Sequence, residues 1–189
     1  QVARKEKIAA QVEEIKKLKT NDGKYNLIVI DPPWPMEDPN NYDPEGRRAM
    51  PPYPVMTLEQ IKNIKLPMEN DCIVWVWGID KFLKETLDII DSWGLVRKNT
   101  LVWDKITFGM AGKYLRGQHE FCFLCILGNP SIYGEGTGTV INIQKTTHSV
   151  KPSEFYSLVE KICPYPKRLD YFARKKREGW DVYGDEVEK

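Results

Sequence analysis

The chain has 189 residues, enough for one domain with a substantial core. Hydrophobic residues make up 41% and charged residues 29%, and the net charge of +1 sets up no large field for or against a polyanionic partner. No apolar run approaches the roughly 18 residues of a membrane span, and the polar, charged start does not read as a secretory signal, so a protein of the cytoplasm, or of the nucleoid or nucleus, is expected.

Ile8, Val12, Ile15 and Leu18 share one stripe of an amphipathic helix over residues 1–20, which lies on the surface or against a partner. Asn21-Asp22-Gly23 stops it, and residues 21–189 read as a single domain. "KYNLIVI" (24–30) is a nearly continuous apolar run, the pattern of a strand buried on both faces. Eight prolines fall between Pro32 and Pro54, a density that no regular element accommodates, so a long irregular loop follows. Thr57 can cap a short helix over 58–64. "DCIVWVWG" (71–78) is a second buried strand, and "DKFLKETLDIIDSWG" (80–94) an amphipathic helix ending on glycine.

"KNTLVWDK" (98–105) and "EFCFLCILG" (120–128) are strands separated by a glycine-containing loop, and a glycine-rich connection leads to a short strand near residue 141. Pro152 opens a helix through Cys163. "KRLDYFA" (167–173) and "GWDVYGDEV" (179–187) supply the last strands. Cys122 and Cys125 form a C-x-x-C inside a strand, so their side chains point to opposite faces. With no second such pair to complete a metal site, all four cysteines are expected to be buried and unpaired, and no metal is expected. Strands alternating with helices predict an α/β fold: a central, mostly parallel sheet with helices on both faces. In such sheets the working crevice lies outside the carboxyl ends of the strands.

Asp31 follows "LIVI" and therefore sits at that end, within Asp31-Pro32-Pro33-Trp34. This tetrapeptide suits one chemical task. An exocyclic amino group on a nucleobase is a poor nucleophile because its lone pair is delocalised into the ring. A carboxylate and a neighbouring backbone carbonyl, each accepting one N–H, hold such a nitrogen and favour its pyramidal geometry. Proline fixes φ and brings no competing donor. Trp34 offers a flat wall for the base. A sulfonium methyl donor, S-adenosylmethionine, then requires mainly positioning.

The chain also resembles a known family: the DPPW adenine amino-methyltransferases, typified by the catalytic subunit of the mRNA N6-adenosine methyltransferase and its prokaryotic relatives. "KYNLIVIDPPW" is similar to the family's first strand and motif, and "PPYPVMTLEQIKNI" to its P-Y-x-x-M-[ST] segment. "CIVWVWG" and "SWGLVRKNTLVWDK" resemble its next two strands. "GKYLRGQHEFCFLCILGNP", "SVKPSEFYSLVEKICP" and "LDYFARKKREGWDVYGDEV" resemble later family stretches in the same order. The resemblance implies a Rossmann-like S-adenosylmethionine-dependent methyltransferase fold and methylation of the N6 amino group of adenine in nucleic acid, DNA favoured over RNA, with S-adenosylhomocysteine as product. It assigns the target amine to Asp31 with the Pro32 and Pro33 carbonyls, and the base-pocket wall to Trp34. It places Asp31, Lys151, Arg174, Lys176, Asp185 and Glu186 around the cofactor, and Tyr53, Tyr114 and Glu120 toward the substrate; Arg47 and Arg48, in a loop longer than the mRNA enzyme's, are expected from their charge to meet a substrate phosphate backbone. Family members often pair, so a homodimer or heterodimer is an expected assembly.

Other readings of the same residues stand beside these. "ARKKRE" also reads as a solvated charge run, Lys151 as a surface lysine at a helix start, and Glu120 as the cap of a sheet edge. Trp77, Trp93 and Trp103 read as core, and His119 and His148 as surface or hydrogen-bonded histidines. Asp185 stands where the family has Asn, an acceptor only. Lys176 and Arg177 replace a His-Asn pair, and the loop after Trp34 is longer than in the mRNA enzyme. Within the enzyme class, cytosine N4 or a small-molecule amine are alternative targets. A non-catalytic, nucleic-acid-binding partner subunit is the alternative outside it.

Overall fold

The computed structural model describes Glu6, Ala10 and residues 23–35, 55–109, 114–145 and 150–183. Glu6 and Ala10 are helical and exposed; the rest of the expected N-terminal helix lies outside the described residues, as does most of the proline-rich loop. Seven described strands form one sheet: β1 (Tyr25–Ile30), β2 (Met68–Gly78), β3 (Val96–Asp104), β4 (His119–Leu127), β5 (Val140–Asn142), β6 (Arg168–Tyr171) and β7 (Asp181–Tyr183), in the order β5-β3-β4-β2-β1-β6-β7. Four neighbouring pairs are parallel; β4 alone runs against its neighbours β2 and β3. The mostly parallel α/β sheet expected from the strand–helix alternation is therefore present.

Helices cover both faces. The first, α1 (Leu58–Lys62), is opened by a capping box in which the Thr57 hydroxyl accepts the Gln60 N–H and the Gln60 side chain accepts the Thr57 N–H. A 3-10 turn (Asp80–Phe82) leads into α2 (Leu83–Ser92), which buries Ile89 and Ile90. On the opposite face α3 (Ser153–Ile162) buries Phe155, Tyr156, Val159 and Ile162.

The period of two sorts the strand residues between the faces. Leu27, Val29, Ile73, Trp75, Trp77, Leu101, Trp103, Cys122 and Leu124 join the α3 side. Ile28, Ile30, Cys72, Val74, Val76, Phe123 and Cys125 join the α2 side. Cys122 and Cys125 thus lie on opposite faces as expected, and all four cysteines are buried and free. Each fully buried Val, Leu, Ile or Phe contributes about 1.5–3 kcal/mol, so this two-sided core holds the strand ends in place.

The G-N-P that follows β4 belongs to the far, amino end of the sheet. Gly128 has φ 68, and a Cβ there would lie 2.3 Å from the Asn70 carbonyl oxygen and from Asp71 Oδ1. Asp71 Oδ1 also accepts the Asn129 N–H at 2.8 Å. Gly94 has a similar φ of 72 but opens onto empty space. Gly128→Ala is therefore expected to lose about 2–3 kcal/mol in chemical denaturation, and Gly94→Ala about 1 kcal/mol, because only the first adds a backbone clash to the strain of a left-handed residue.

Candidate active site

The same two-residue alternation that sorts the core continues past the ends of the strands. Asp31 follows Leu27 and Val29, Glu120 precedes Cys122 and Leu124, and Lys105 follows Leu101 and Trp103. All three residues therefore project on the α3 side at one edge of the sheet. Glu120 reaches this edge because β4 runs backwards, which brings its amino end beside the carboxyl ends of β2 and β3. Lys151, immediately before the start of α3, closes the group from above.

These four side chains form a half-buried ionic chain. Lys151 Nζ lies 3.0 Å from Asp31 Oδ2 and 2.6 Å from Glu120 Oε2, and Lys105 Nζ lies 2.6 Å from Glu120 Oε1. The side chains are 9% (Lys151), 24% (Asp31) and 16% (Glu120 and Lys105) exposed. Two tryptophans form the floor: Lys151 Nζ sits 4.7 Å from the Trp77 ring and Lys105 Nζ 5.4 Å from the Trp103 ring. The two rings meet edge to face with centroids 6.1 Å apart. Both tryptophans are core residues, as the sequence indicated, but their faces also support the two ammonium groups.

Burial and pairing pull these groups in different directions. Burial raises Asp31, against the opposing effect of Lys151. Burial also acts to raise Glu120, but Lys151 and Lys105 outweigh it and hold Glu120 down at about 2. For Lys151, burial disfavours the charge, yet Asp31 and Glu120 outweigh it and keep the ammonium above its ordinary value. The result is a largely buried, charge-balanced set in which one carboxylate, Asp31, retains a raised affinity for protons.

A pocket opens beside this set, lined by Asp31, Lys151, Asp170, Arg174, Lys175 and Arg177, among others. Asp170 on β6 is buried, accepts the Tyr156 hydroxyl at 2.8 Å and is pushed by burial to about 7. The Arg177 guanidinium lies 3.5 Å from the Tyr156 ring centroid, and its Nε is buried without a protein partner among the described residues. Phe172 makes the turn out of β6 at φ 66, a left-handed conformation that costs about 1–3 kcal/mol and leads Ala173, Arg174, Lys175 and Arg177 into the pocket wall.

The expected site residues separate on this geometry. Asp31, Lys151 and Glu120 come together, and Arg174 lines the same pocket. Lys176 is exposed and does not line it; Lys175 and Arg177 do. Trp34 departs from the expected base wall: it is 5% exposed, stacks on Phe82 at 5.8 Å and packs with Ile61 and Ile89. Its bulk supports the proline ledge from the α2 side. The Pro32 carbonyl accepts the Trp34 N–H and the Pro33 carbonyl the Met56 N–H, both at 2.9 Å. Tyr114 is 88% exposed on the connection between β3 and β4. Tyr53, Arg47, Arg48, Asp185, Glu186 and His148 lie outside the described residues. Lys105, Asp170 and Tyr156 were given no site role by the sequence. The alternation 101, 103, 105 could have shown the first, and a carboxylate inside the apolar strand "RLDY" the second.

A mostly parallel sheet with a polar pocket outside its carboxyl ends, with Asp31 of Asp-Pro-Pro-Trp in its lining, defines a Rossmann-like α/β site of the kind that binds a small cofactor. The particular family follows from comparison with known proteins. The MT-A70 family model matches residues 25–186, and the chain belongs to that family. The Arabidopsis thaliana N(6)-adenosine-methyltransferase MT-A70-like is 25% identical over 175 residues, covering 87% of this chain and 24% of the relative. The Homo sapiens N(6)-adenosine-methyltransferase catalytic subunit METTL3 is 22% identical over 179 residues, 88% of this chain and 29% of its own length. The Type II methyltransferase M.MunI of Mycoplasma sp is 28% identical over 183 residues, 87% of this chain and 78% of its own length. The chain thus spans about a quarter of the length of the first two. No helix among the described residues is long and apolar enough to cross a membrane, and none of their His, Cys, Asp and Glu side chains cluster in a way that could hold a metal ion.

The Glu120 ion pairs give a stability signature. Glu120 is held below its ordinary 4.5 at about 2, so its contribution is fully present above pH 4.5 and is lost as pH falls through about 2. Between pH 5 and pH 2, chemical denaturation of the wild type should therefore show a steeper loss of stability than that of Glu120→Gln.

Proposed function

We propose that this chain is an S-adenosylmethionine-dependent methyltransferase acting on the N6 amino group of adenine in nucleic acid, with DNA favoured over RNA. The observation that carries this reading is the position of Asp31. It follows β1 at the carboxyl edge of the sheet, lines the pocket and is held by a largely buried lysine beside a proline ledge. The names of the MT-A70 relatives support adenine N6 as the target. The relatives include adenosine methyltransferases and a Type II methyltransferase, so matched DNA and RNA oligonucleotides decide between the two substrates.

The pocket fits the proposed cofactor chemically. A zwitterionic amino-acid tail needs an acceptor for its ammonium and cations for its carboxylate, and Asp31 with Lys151, Arg174 and Lys175 provides both. The buried Arg177 Nε leaves one donor for a ligand oxygen. When bound, the cofactor supplies an electrophilic methyl on a sulfonium. The chain's own part is positional. Asp31 accepts one N–H of the target amine, and the Pro32 or Pro33 carbonyl accepts the other with its second lone pair. The chain bond already on each carbonyl fixes its direction. The amine becomes acidic once it gains the methyl, so even a weak base suffices to take the proton, and burial, which raises Asp31, makes it a better one.

Methyl transfer from radiolabelled S-adenosylmethionine to matched DNA and RNA oligonucleotides, with the base identified by mass spectrometry, tests the proposal. Methyladenine is expected, more on DNA, and Asp31→Ala should lower turnover by roughly a hundredfold or more while unfolding near the wild-type temperature. No transfer to either oligonucleotide would favour a non-catalytic partner subunit. Lys151→Ala should reduce the thermal stabilisation given by S-adenosylhomocysteine more than it reduces oligonucleotide binding. An unchanged thermal shift would remove Lys151 from the cofactor site.

A further inference from the structure

We propose that Lys105 is a positioning residue for Asp31, acting through Glu120 and Lys151; this rests on the methyl-transfer reading above. Lys105 stands three ion pairs away from Asp31, through Glu120 and Lys151, and its own placement is fixed from several directions. Its backbone N–H donates to the Gln118 carbonyl at 2.9 Å. The adjacent Asp104 Oδ1 accepts the Gln118 side-chain amide at 2.8 Å and the Ile106 N–H at 2.7 Å. Ile106 is held at φ 66, an uncommon conformation for a β-branched residue. The Asp104 carbonyl accepts the Ile143 N–H at 3.1 Å, and Trp103 Nε1 donates to the Ile143 carbonyl at 2.8 Å. A solvated surface lysine needs none of this. Here the backbone on both sides is pinned so that the ammonium meets Glu120 Oε1 at 2.6 Å over the Trp103 ring.

The charge balance gives the consequence. Without Lys105, the Lys151 ammonium would face two carboxylates alone, and its contact with Glu120 is already the shorter, 2.6 Å against 3.0 Å to Asp31. Glu120 would draw Lys151 from Asp31, leaving the carboxylate that receives the target amine less fixed and more readily protonated. With Lys105 present, Glu120 has an ammonium on each oxygen, and Lys151 remains available to Asp31. The groups that act on this balance come from every neighbouring element: Lys145 after β5, Cys122 on β4, Tyr156 on α3, and Asp170 and Arg174 in and after β6.

The test is Lys105→Met, which keeps the chain over Trp103 and removes the charge, beside Lys105→Arg, which restores it. Two readouts are taken: steady-state methyl transfer against pH, and carboxyl carbon NMR titration of Asp31 and Glu120. Lys105→Met should lower kcat by roughly tenfold to a hundredfold with a smaller change in either KM. It should also move the acid limb of the rate profile and both carboxyl titrations to higher pH. Lys105→Arg should recover most of each. Unmoved titrations and a kcat within twofold of wild type overturn the proposal, as does a drop in melting temperature with an unmoved pH profile. A wild type inactive on nucleic acid whose carboxyl titrations still shift in Lys105→Met sinks the proposed substrate while leaving the positioning role standing.

Discussion

Lys151 carries a charge into a place where water hardly reaches, and the rest of the site is arranged around what that requires. A lone buried ammonium would cost several kcal/mol and would shed its proton instead. It stays charged because two carboxylates and an aromatic face surround it, drawn from β1, β4 and β2. Those strands can deliver the groups to one point only because their buried halves are locked into a common core. The ion pairs add little net stability once desolvation is counted. What the core supports is a fixed direction for the Asp31 carboxylate.

Strand direction is the second requirement. In a sheet with every strand parallel, the carboxyl edge would present only residues that end strands. Reversing β4 brings a residue that begins a strand to that edge, and Glu120 lands beside Asp31 with β2 between them. The two carboxylates would repel each other across Trp77 were Lys151 not between them. The reversed strand and the buried lysine therefore depend on one another: neither makes sense at this edge without the other.

The fold was legible where periodicity and turn chemistry agreed. "YNLIVI" and "CIVWVWG" are apolar enough to demand burial on both faces, and the Thr57 cap stands directly before the helix it opens. The location of Asp31 followed from the same reasoning, since a carboxylate after a buried strand in an alternating α/β pattern belongs at the carboxyl edge. The direction of β4 was not legible, because an apolar strand reads the same in either sense, and so Glu120 was assigned to substrate without the pairing that occupies both its oxygens. Trp34 is ambiguous in sequence for a related reason. An aromatic after two prolines can wall a pocket or anchor a loop, and only the presence of Phe82, Ile61 and Ile89 on the α2 side decides for anchoring. In the basic run 174–177, the strained turn at Phe172 selects which cations face the pocket, and no pattern in "ARKKRE" announces that turn.

Methylating an exocyclic amine asks one carboxylate for two opposed properties. It must be ionised to accept the N–H bonds, yet desolvated enough to take up a proton as the product forms. Burial alone would leave Asp31 neutral, and a full salt bridge in water would leave it too weak a base. The chain from Lys105 through Glu120 and Lys151 holds an intermediate balance, since the Lys151 ammonium is shared between two largely buried carboxylates and Glu120 has a second ammonium of its own. Trp77 and Trp103 make that balance rigid, because an aromatic face attracts a cation without offering it a proton acceptor. The proline ledge then needs no charge of its own. Its carbonyl dipoles, tied by Trp34 and Met56, keep their direction whether or not a base is present.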